Sequence, residues 1–295
     1  MVDDRREILG AGAGWGPWVP RLAAAGLTLL IGLSLLTGIS CLSLNQTQCS
    51  ISSLLNGRED LDVPYAGTRP AVVSRMLEMA AVQPGDQVID LGTGDGRILI
   101  AAARERGARG IGVDLDPALI DAARGAARQS GVADRVEFRV ENLFETTLSQ
   151  ADVVTMFLLP EVNLRLRPRL LGELRPGARI VSHAFDMGEW RPDETARVGG
   201  AWVYRWTVPA RAAGTWRFVG EDGREGVLRL DQHFQAVSGD LQTEGAAPVL
   251  VTGRLEGERI ALEIGAGDGE PRLAGIVRDG RIVPVDPAMR WRAER

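Results

Sequence analysis

Apolar and polar positions divide the chain into three textures. Residues 22–44 are almost continuously apolar, residues 68–183 alternate between helical and strand periods, and beyond Pro209 short alternating runs are cut by glycine turns. In the middle block, Thr68 and Pro70 open a helix with Val72, Val73, Met76, Leu77 and Ala80 on its apolar face; it ends before Pro84-Gly85. Strands are expected at 88–90, 110–114, 136–140, 153–159 and 179–183. Helices are expected at 97–106 and at 117–129, the latter with Asp116 as its N-cap, and a helical stretch closes over 168–174. Such alternation predicts an α/β domain built on a parallel sheet. Residues 195–198 and 201–207, around Gly199-Gly200, fit a hairpin. The tail, with turns such as Asp222-Gly223, Glu256-Gly257 and Asp279-Gly280, predicts a small antiparallel barrel or sandwich. His233 there is expected to face a neighbouring strand, and Trp216 and Trp291 to plug one barrel end.

The apolar segment divides the N-terminal region. A flank covers residues 1–21, the segment itself 22–44 and a Gln, Ser, Asn and Gly-bearing linker 45–62, ahead of the α/β domain at 63–208 and the tail at 209–295. As a helix, the 23 residues of the segment reach about 34 Å, enough to cross a hydrocarbon core of roughly 30 Å. A single membrane span is the expectation. The rival reading is a cleaved signal peptide, with Gly38-Ile39-Ser40 ahead of Cys41 as its cleavage site. Arg5, Arg6 and Arg21 precede the segment and Arg58 follows it, which by the positive-inside rule puts the remainder outside the cytoplasm. Cys41 and Cys49 either pair there or serve as small apolar residues.

Composition then removes several chemistries. The chain holds 34 basic and 39 acidic residues, a formal −5, so no broad cationic face exists for nucleic acid. Every basic residue is Arg, which excludes a Schiff-base or P-loop lysine. A structural zinc site would have to combine His183 and His233 with two cysteines far from them in sequence, and no metal is expected.

The first strand-to-helix turn carries the candidate chemistry: Asp90-Leu91-Gly92-Thr93-Gly94-Asp95-Gly96-Arg97. Alternate glycines let the backbone turn sharply and a nucleotide-like ligand lie against the strand end. Asp114 ends the next strand, 24 positions after Asp90, where a carboxylate can accept from both hydroxyls of a ribose. Asn142, after the third strand, can donate and accept toward an adenine edge. Dinucleotide folds favour Gly-x-Gly-x-x-Gly; here Gly96 comes one position early and Arg97 stands in place of the third glycine. Asp90 and Asp95 would repel a pyrophosphate but suit a ligand bearing an ammonium and a sulfonium.

The run Asp90 to Gly96 followed by Asp114 resembles class I S-adenosylmethionine-dependent methyltransferases. Longer stretches, Ala151-Asp-Val-Val-Thr-Met-Phe-Leu-Leu159, Leu166-Arg-Pro-Arg-Leu-Leu171 and the run from Val181 to Asp193, are similar to a bacterial group related to the mitochondrial lysine methyltransferases that modify the c subunit of ATP synthase and the adenine nucleotide translocase. The resemblance covers residues 62–208. It implies a Rossmann-like seven-stranded methyltransferase sheet, completed by the antiparallel hairpin, with a small all-β C-terminal domain and an N-terminal transmembrane helix added to it. It implies S-adenosyl-L-methionine as cofactor, held by Asp90, Gly92, Thr93, Gly94, Asp95, Gly96, Asp114 and Asn142. It further implies a protein-lysine acceptor and, with the apolar segment, a single-pass anchor in a bacterial inner membrane, while the charge balance argues against a nucleic-acid partner. Two departures stand out: Pro64-Tyr65-Ala66-Gly67-Thr68-Arg69 replaces a Pro-(Tyr/Phe)-Val-Pro-Thr-Pro pattern, and Asn142 stands where an acid is common.

Methyl transfer from a sulfonium needs alignment, desolvation and a neutral nucleophile, with no obligatory base. Burial against aromatic walls lowers an amine's pKa, and Tyr65 and residues 157–163 are the candidate walls. Tyr65 and His183 are the candidate catalytic side chains; His183 ends the fifth strand and either meets the acceptor or satisfies local backbone groups. The alternatives are a binding or sensing module without turnover, a methyltransferase for a small molecule or lipid, and an NAD-dependent oxidoreductase, which Gly96 and Arg97 disfavour. S-adenosylmethionine is made in the cytoplasm, whereas the arginine count points the domain outward.

Overall fold

The computed structural model describes residues 66–265 and 273–295. The flank 1–21, the apolar segment 22–44, the linker 45–62 and Tyr65 lie outside the described residues. Among the described residues no helix is long and apolar enough to cross a membrane.

The first domain alternates as the periodicity requires. Helix α1 (Pro70–Met79) precedes β1 (Gln87–Leu91), α2 (Arg97–Arg106), β2 (Arg109–Asp114), α3 (Pro117–Gln129), β3 (Val136–Val140), β4 (Val153–Met156), α4 (Pro160–Glu173), β5 (Arg179–His183), β6 (Glu194–Val198) and β7 (Ala201–Thr207). The seven strands form one sheet in the order β3-β2-β1-β4-β5-β7-β6, with β7 antiparallel to β5 and to β6 and the other neighbours parallel. Strands buried on both faces explain the unbroken apolar runs. Val88, Val153, Val181 and Val203 pack under α1, α2 and α3 on one face, while Ile89, Val154, Met156, Ile180 and Trp206 pack with α4 on the other.

β4 stops at Met156, not at 159 as expected, and the helix whose closing stretch was expected over 168–174 begins at Pro160. Leu159 is extended, as a residue before proline must be, and Pro160 occupies the first helical position, where its missing N–H costs nothing. Pro168 lies inside that helix. There it removes one hydrogen bond of the helical ladder, which the surrounding turns of α4 tolerate.

The tail closes into an eight-stranded barrel rather than a sandwich: β8 (Gly214–Val219), β9 (Glu225–His233), β10 (Ala236–Thr243), β11 (Val249–Glu256), β12 (Arg259–Ile264), β13 (Leu273–Arg278), β14 (Arg281–Pro284) and β15 (Arg292–Glu294). Closure removes the unpaired edges that a small open sheet would expose. Trp216, Trp291 and Phe218 fill the interior with Leu228, Val251 and Ile282. His233 does not face into a neighbouring strand: it stays exposed at the end of β9, its ring 4.5 Å from that of Phe234.

The β9–β10 turn fastens the barrel to the first domain. Phe234, at φ 55°, stacks on the fully buried Trp190 with ring centroids 5.9 Å apart, and the Arg167 guanidinium lies 5.4 Å from the Phe234 ring centre. Gln235 Nε2 donates to the Arg191 carbonyl and to Asp193, Arg254 pairs with Asp193 at 2.8 Å, and the Ala210 N–H donates to the Gly257 carbonyl. Trp206 Nε1 donates to the Trp190 carbonyl at 2.7 Å, so Trp190 joins sheet to barrel. Trp190→Ala would leave a cavity at this junction. It is expected to lower unfolding free energy by about 3–5 kcal/mol, read from urea denaturation.

Candidate functional site

The site is built at the carboxyl end of β1 and β2. The chain leaves β1 through Gly92, Gly94 and Gly96, at φ 73°, 55° and 78°, a region that side-chain-bearing residues rarely enter. Gly92 and Thr93 N–H both donate to the Val113 carbonyl, stitching the corner to β2. The glycines also serve packing: a Cβ on Gly92 would meet Leu158 at 2.7 Å, and one on Gly96 would meet Phe138 at 2.6 Å and Ala123 at 2.9 Å. Gly96 is therefore a close-packing position of α2 against β3 and α3. A Cβ on Gly112 would strike Thr93 Oγ1 at 2.5 Å, a constraint that sequence pattern does not reveal.

Four acids stand at this corner or beside it, and each has distinct surroundings. Asp90 is buried, accepting from Thr93 Oγ1 at 2.7 Å and Thr155 Oγ1 at 2.6 Å. Burial pushes its carboxyl up from 3.8 to about 6, the two hydroxyls oppose the shift, and Asp114 and Asp95 add to it. Thr155 escapes a reading of the sequence because it joins Asp90 only through the β1–β4 register, where the two residues are partners. Asp114 accepts from the Gly94 N–H at 2.9 Å and from the Asp116 N–H at 3.0 Å. It therefore holds the glycine loop in shape, and each oxygen retains a lone pair for a hydroxyl. Asp116 caps α3 by accepting from the Ala118 N–H.

Asp95 differs most from its expected part. Its carboxylate takes both Nε and Nη2 of Arg97, and Arg97 Nη1 donates to the Thr68 carbonyl at 3.0 Å. Thr68 Oγ1 lies 3.1 Å from His183 Nδ1, and the His183 ring sits against Phe157 with centroids 3.9 Å apart. A chain of side chains thus runs from the glycine corner through the segment before α1 to the end of β5. Gly67 makes room for it, since a Cβ there would lie 2.6 Å from the Arg97 guanidinium. The departure Ala66-Gly67-Thr68-Arg69 from the family-like pattern thereby acquires a physical reason. His183 is buried, and burial followed by the nearby Arg69 charge holds its pKa below the ordinary value, so the ring is neutral at pH 7.

Asn142 spends its side-chain oxygen on the Phe144 N–H at 3.0 Å, a local turn at the end of β3. Its Nδ2 is 3.4 Å from Glu145. An adenine contact from this side chain would have to come from the amide nitrogen.

On the other side of the edge, β7 places Trp202, Tyr204 and Trp206 on one face, with ring centroids 6.3 and 6.0 Å apart. Trp202 is 43% exposed beside the end of β5, where the Ala184 N–H donates to its carbonyl. Burial, then the Asp186 charge, raises the Tyr204 phenol. Ala184 itself sits at φ 70°, and the Phe185 N–H reaches back to the His183 carbonyl at 2.9 Å. Such a three-residue turn is strained in a residue with a Cβ. It is held by Ser182 Oγ, donating to the Phe185 carbonyl at 2.6 Å, and by Asn163 Nδ2, within 3.3 Å of the Phe185 and Asp186 carbonyls. Asn163 is fully buried.

A parallel sheet of this order with an antiparallel β7, a left-handed glycine corner and acids on the ends of β1 and β2 defines a class I methyltransferase. The family model described as "ANTKMT methyltransferase domain" matches residues 90–194. A protein-lysine N-methyltransferase of Saccharolobus islandicus is 45% identical over 137 residues, 46% of this chain and 85% of the relative. The human lysine N-methyltransferase of the ATP synthase c subunit is 32% identical over 173 residues, 59% of this chain and 69% of the relative. A Salinibacter ruber chain described as an RNA methyltransferase, crystallised with S-adenosyl-L-homocysteine, is 54% identical; the match covers 50% of this chain and 95% of that one, with a TM-score of 0.49. The chain belongs to this ANTKMT-type family of S-adenosylmethionine-dependent methyltransferases. The corner fits that cofactor: buried acid at β1 and carboxylate oxygens at β2 face a ligand with a cationic and a dihydroxylated end.

Two acids of the corner give measurable consequences. Asp90 binds its proton more tightly folded than unfolded, so between about pH 4 and 6 the folded chain retains a proton the unfolded chain has released. Stability then falls as pH rises through that window and levels off above it. Asp90→Asn is expected to remove this slope, on the order of 2–3 kcal/mol across the window, in thermal unfolding followed from pH 4 to 7. Asp114→Asn is expected to weaken S-adenosylmethionine about 10–100-fold by calorimetry, since it would forfeit the charge-assisted bonds expected to ribose and loosens the hold on the Gly94 amide.

Proposed function

We propose that the chain is a protein-lysine N-methyltransferase held at a membrane by residues 22–44. The observation that carries the acceptor reading is the aromatic wall at the ends of β4 and β5, where Phe157 and a neutral His183 lie with ring centroids 3.9 Å apart beside the uncharged run Phe157-Leu158-Leu159-Pro160. An ammonium entering this wall loses water and is pushed toward its neutral, nucleophilic form. Aromatic faces also attract the cation on its way in. The lysine methylation for which the Saccharolobus islandicus and human relatives are named supports the same acceptor.

S-adenosylmethionine supplies the activated methyl group. Asp90, Gly92, Thr93, Gly94, Gly96 and Asp114 form the proposed cofactor cradle, with Asp95 acting through Arg97 and Asn142 at its far end. The chain's part is to keep donor and acceptor aligned and dry. The acceptor nitrogen forms its bond to the methyl carbon as the carbon–sulfur bond breaks, sulfur leaves as a neutral thioether, and the nitrogen's surplus proton passes to water. His183, neutral and tied to Thr68 through Nδ1, positions the segment before α1 over this edge. The net charge of −5 argues against RNA as acceptor. Membrane anchorage rests on the length and apolarity of residues 22–44.

The test is mass spectrometry after incubating the full chain with S-adenosylmethionine and either membrane proteins or total RNA of its source. We expect mass increments of about 14 Da on lysines of one or a few membrane proteins, none on RNA, and loss of the increments with Asp114→Asn. Because the chain carries no lysine, an increment on lysine cannot come from the enzyme itself. Methylation confined to RNA would replace the lysine reading.

A further inference from the structure

Arg97 is placed against the preference of its own helix. It occupies the first position of α2, behind a left-handed Gly96 cap that lends no side chain, and the first turn holds no acid. A helix start carries the positive end of the peptide dipoles and favours anions, so helix stability alone would not choose a cation there. Asp95 offsets the charge, its carboxylate taking Nε and Nη2 of the guanidinium. That pairing uses one edge of a planar fork and leaves Nη1 for another group. A side chain that breaks a local rule while putting both of its edges to use marks a functional position.

The second edge reaches residues 66–69, a strap that leads into α1. Arg97 Nη1 donates to the Thr68 carbonyl, 29 positions away. The strap is shaped for this contact. A Cβ on Gly67 would lie 2.6 Å from Nη1 and 2.8 Å from both Cζ and Nη2 of Arg97. Gly67 is not among the left-handed glycines, so its missing side chain answers to space and not to backbone conformation. Beyond it, Thr68 is buried and its hydroxyl meets His183 Nδ1 at 3.1 Å, while the Arg69 guanidinium donates to the Gly199 carbonyl in the β6–β7 turn. The strap thus crosses the carboxyl edge of the sheet from α2 to β5 and the last hairpin. Its position decides two neighbours of the His183 ring, the Thr68 hydroxyl and the Arg69 charge.

We propose that Arg97 is a positioning residue for methyl transfer: with one edge on Asp95 of the glycine corner and Nη1 on the Thr68 carbonyl, it sets the strap, and through it the His183 ring, in register with the corner that holds the methyl donor. The place of the acceptor at the His183 edge rests on the function proposed above. An ammonium could hold Asp95 or the strap, but its three donors around one point cannot present two fixed edges.

The test is a pH titration of the full chain in detergent, labelled with 15N-histidine and followed by NMR. The chain holds two histidines, and the exposed His233 is assigned through His233→Gln. Arg97→Lys keeps the charge and removes the fork; Gly67→Ala keeps Arg97 and pushes its guanidinium off the strap. Gly67 is exposed and Arg97 half-buried, so neither change opens the core. We expect the His183 midpoint to rise in both variants, as the ring gains water and moves away from the Arg69 charge, with its Nδ1 resonance displaced and the His233 signals unmoved. Calorimetry with S-adenosyl-L-homocysteine on the same samples separates this role from a local one. Lost affinity with His183 unmoved confines Arg97 to the cofactor corner and overturns the proposal. An unmoved or lowered midpoint with affinity retained overturns it too. A rise in one variant alone does the same, since guanidinium and strap would then act separately. No acceptor enters these measurements, so a failure of lysine methylation leaves the positioning result readable.

Discussion

A carboxylate taken out of water at the end of β1 is the constraint around which this molecule is arranged. Asp90 accepts from two neutral hydroxyls, and Asp95 and Asp114 raise the cost of its charge further. The surroundings spread that cost. Arg97 engages Asp95, backbone amides of Gly94 and Asp116 engage Asp114, and Thr93 and Thr155 engage Asp90. A corner that gathers three acids in this way is most relieved by a ligand that brings positive charge, and a sulfonium with an ammonium does so where a pyrophosphate would not. The glycine conformations follow from the same need, because only a left-handed corner folds back far enough for its amides to reach Val113 and Asp114.

The second arrangement is the path from β5 to the barrel. Residues 184–193 leave the strained turn at Ala184, bridge Met187 to Trp190, and end at Asp193. On one side α4 holds this path: Asn163 through the Phe185 and Asp186 carbonyls, Arg167 through the Met187 carbonyl at 2.8 Å. On the other side the barrel holds it, through Phe234 on Trp190 and Gln235 and Arg254 on Asp193. The barrel therefore buttresses the loop that borders the aromatic wall, and its removal would free a segment whose strain is otherwise over-determined. A domain outside the proposed cofactor cradle thus bears on the geometry of the loop that follows His183.

Local pattern was enough for most of the sheet. The helices at 97–106 and 117–129 and the strands at 136–140 and 179–183 coincide with the observed elements, because proline, aspartate and glycine punctuate them clearly. The start of α4 was not legible, because the fourth strand was expected to run on to 159; in the structure β4 ends at Met156, and Pro160 takes the first helical position with Val162 and Asn163 buried behind it. The glycine corner and its link to Asp114 were legible as one unit since the residues are adjacent or end consecutive strands. The Asp90–Thr155 pair and the relay from Asp95 through Arg97 and Thr68 to His183 were not, since they join residues 65 and 115 positions apart and exist only once β4 lies beside β1 and β5 beside β4. Trp202, Tyr204 and Trp206 needed less: strict alternation along one strand places them on a common face, a signal overshadowed by the glycine turn that precedes it.

A basic complement made entirely of arginine has a structural consequence that the site shares with the rest of the domain. Arg169 donates to the carbonyls of Leu143, Phe144 and Thr146 and to Glu173; Arg179 donates to the carbonyls of Ala80 and Ala81 and to Asp86. Each ties together several groups on separate segments, as Arg97 does with Asp95 and Thr68. A planar fork of five donors can do this at fixed geometry, whereas an ammonium on a flexible stem presents three donors around one point. Loops at both ends of the sheet are thereby fastened at fixed geometry. For an enzyme proposed to act on lysine there is a second effect: none of these fasteners is chemically a substrate. On that proposal methyl groups directed to lysine find no side-chain amine on the chain itself, so the same composition that stiffens the domain also separates it from its product chemistry.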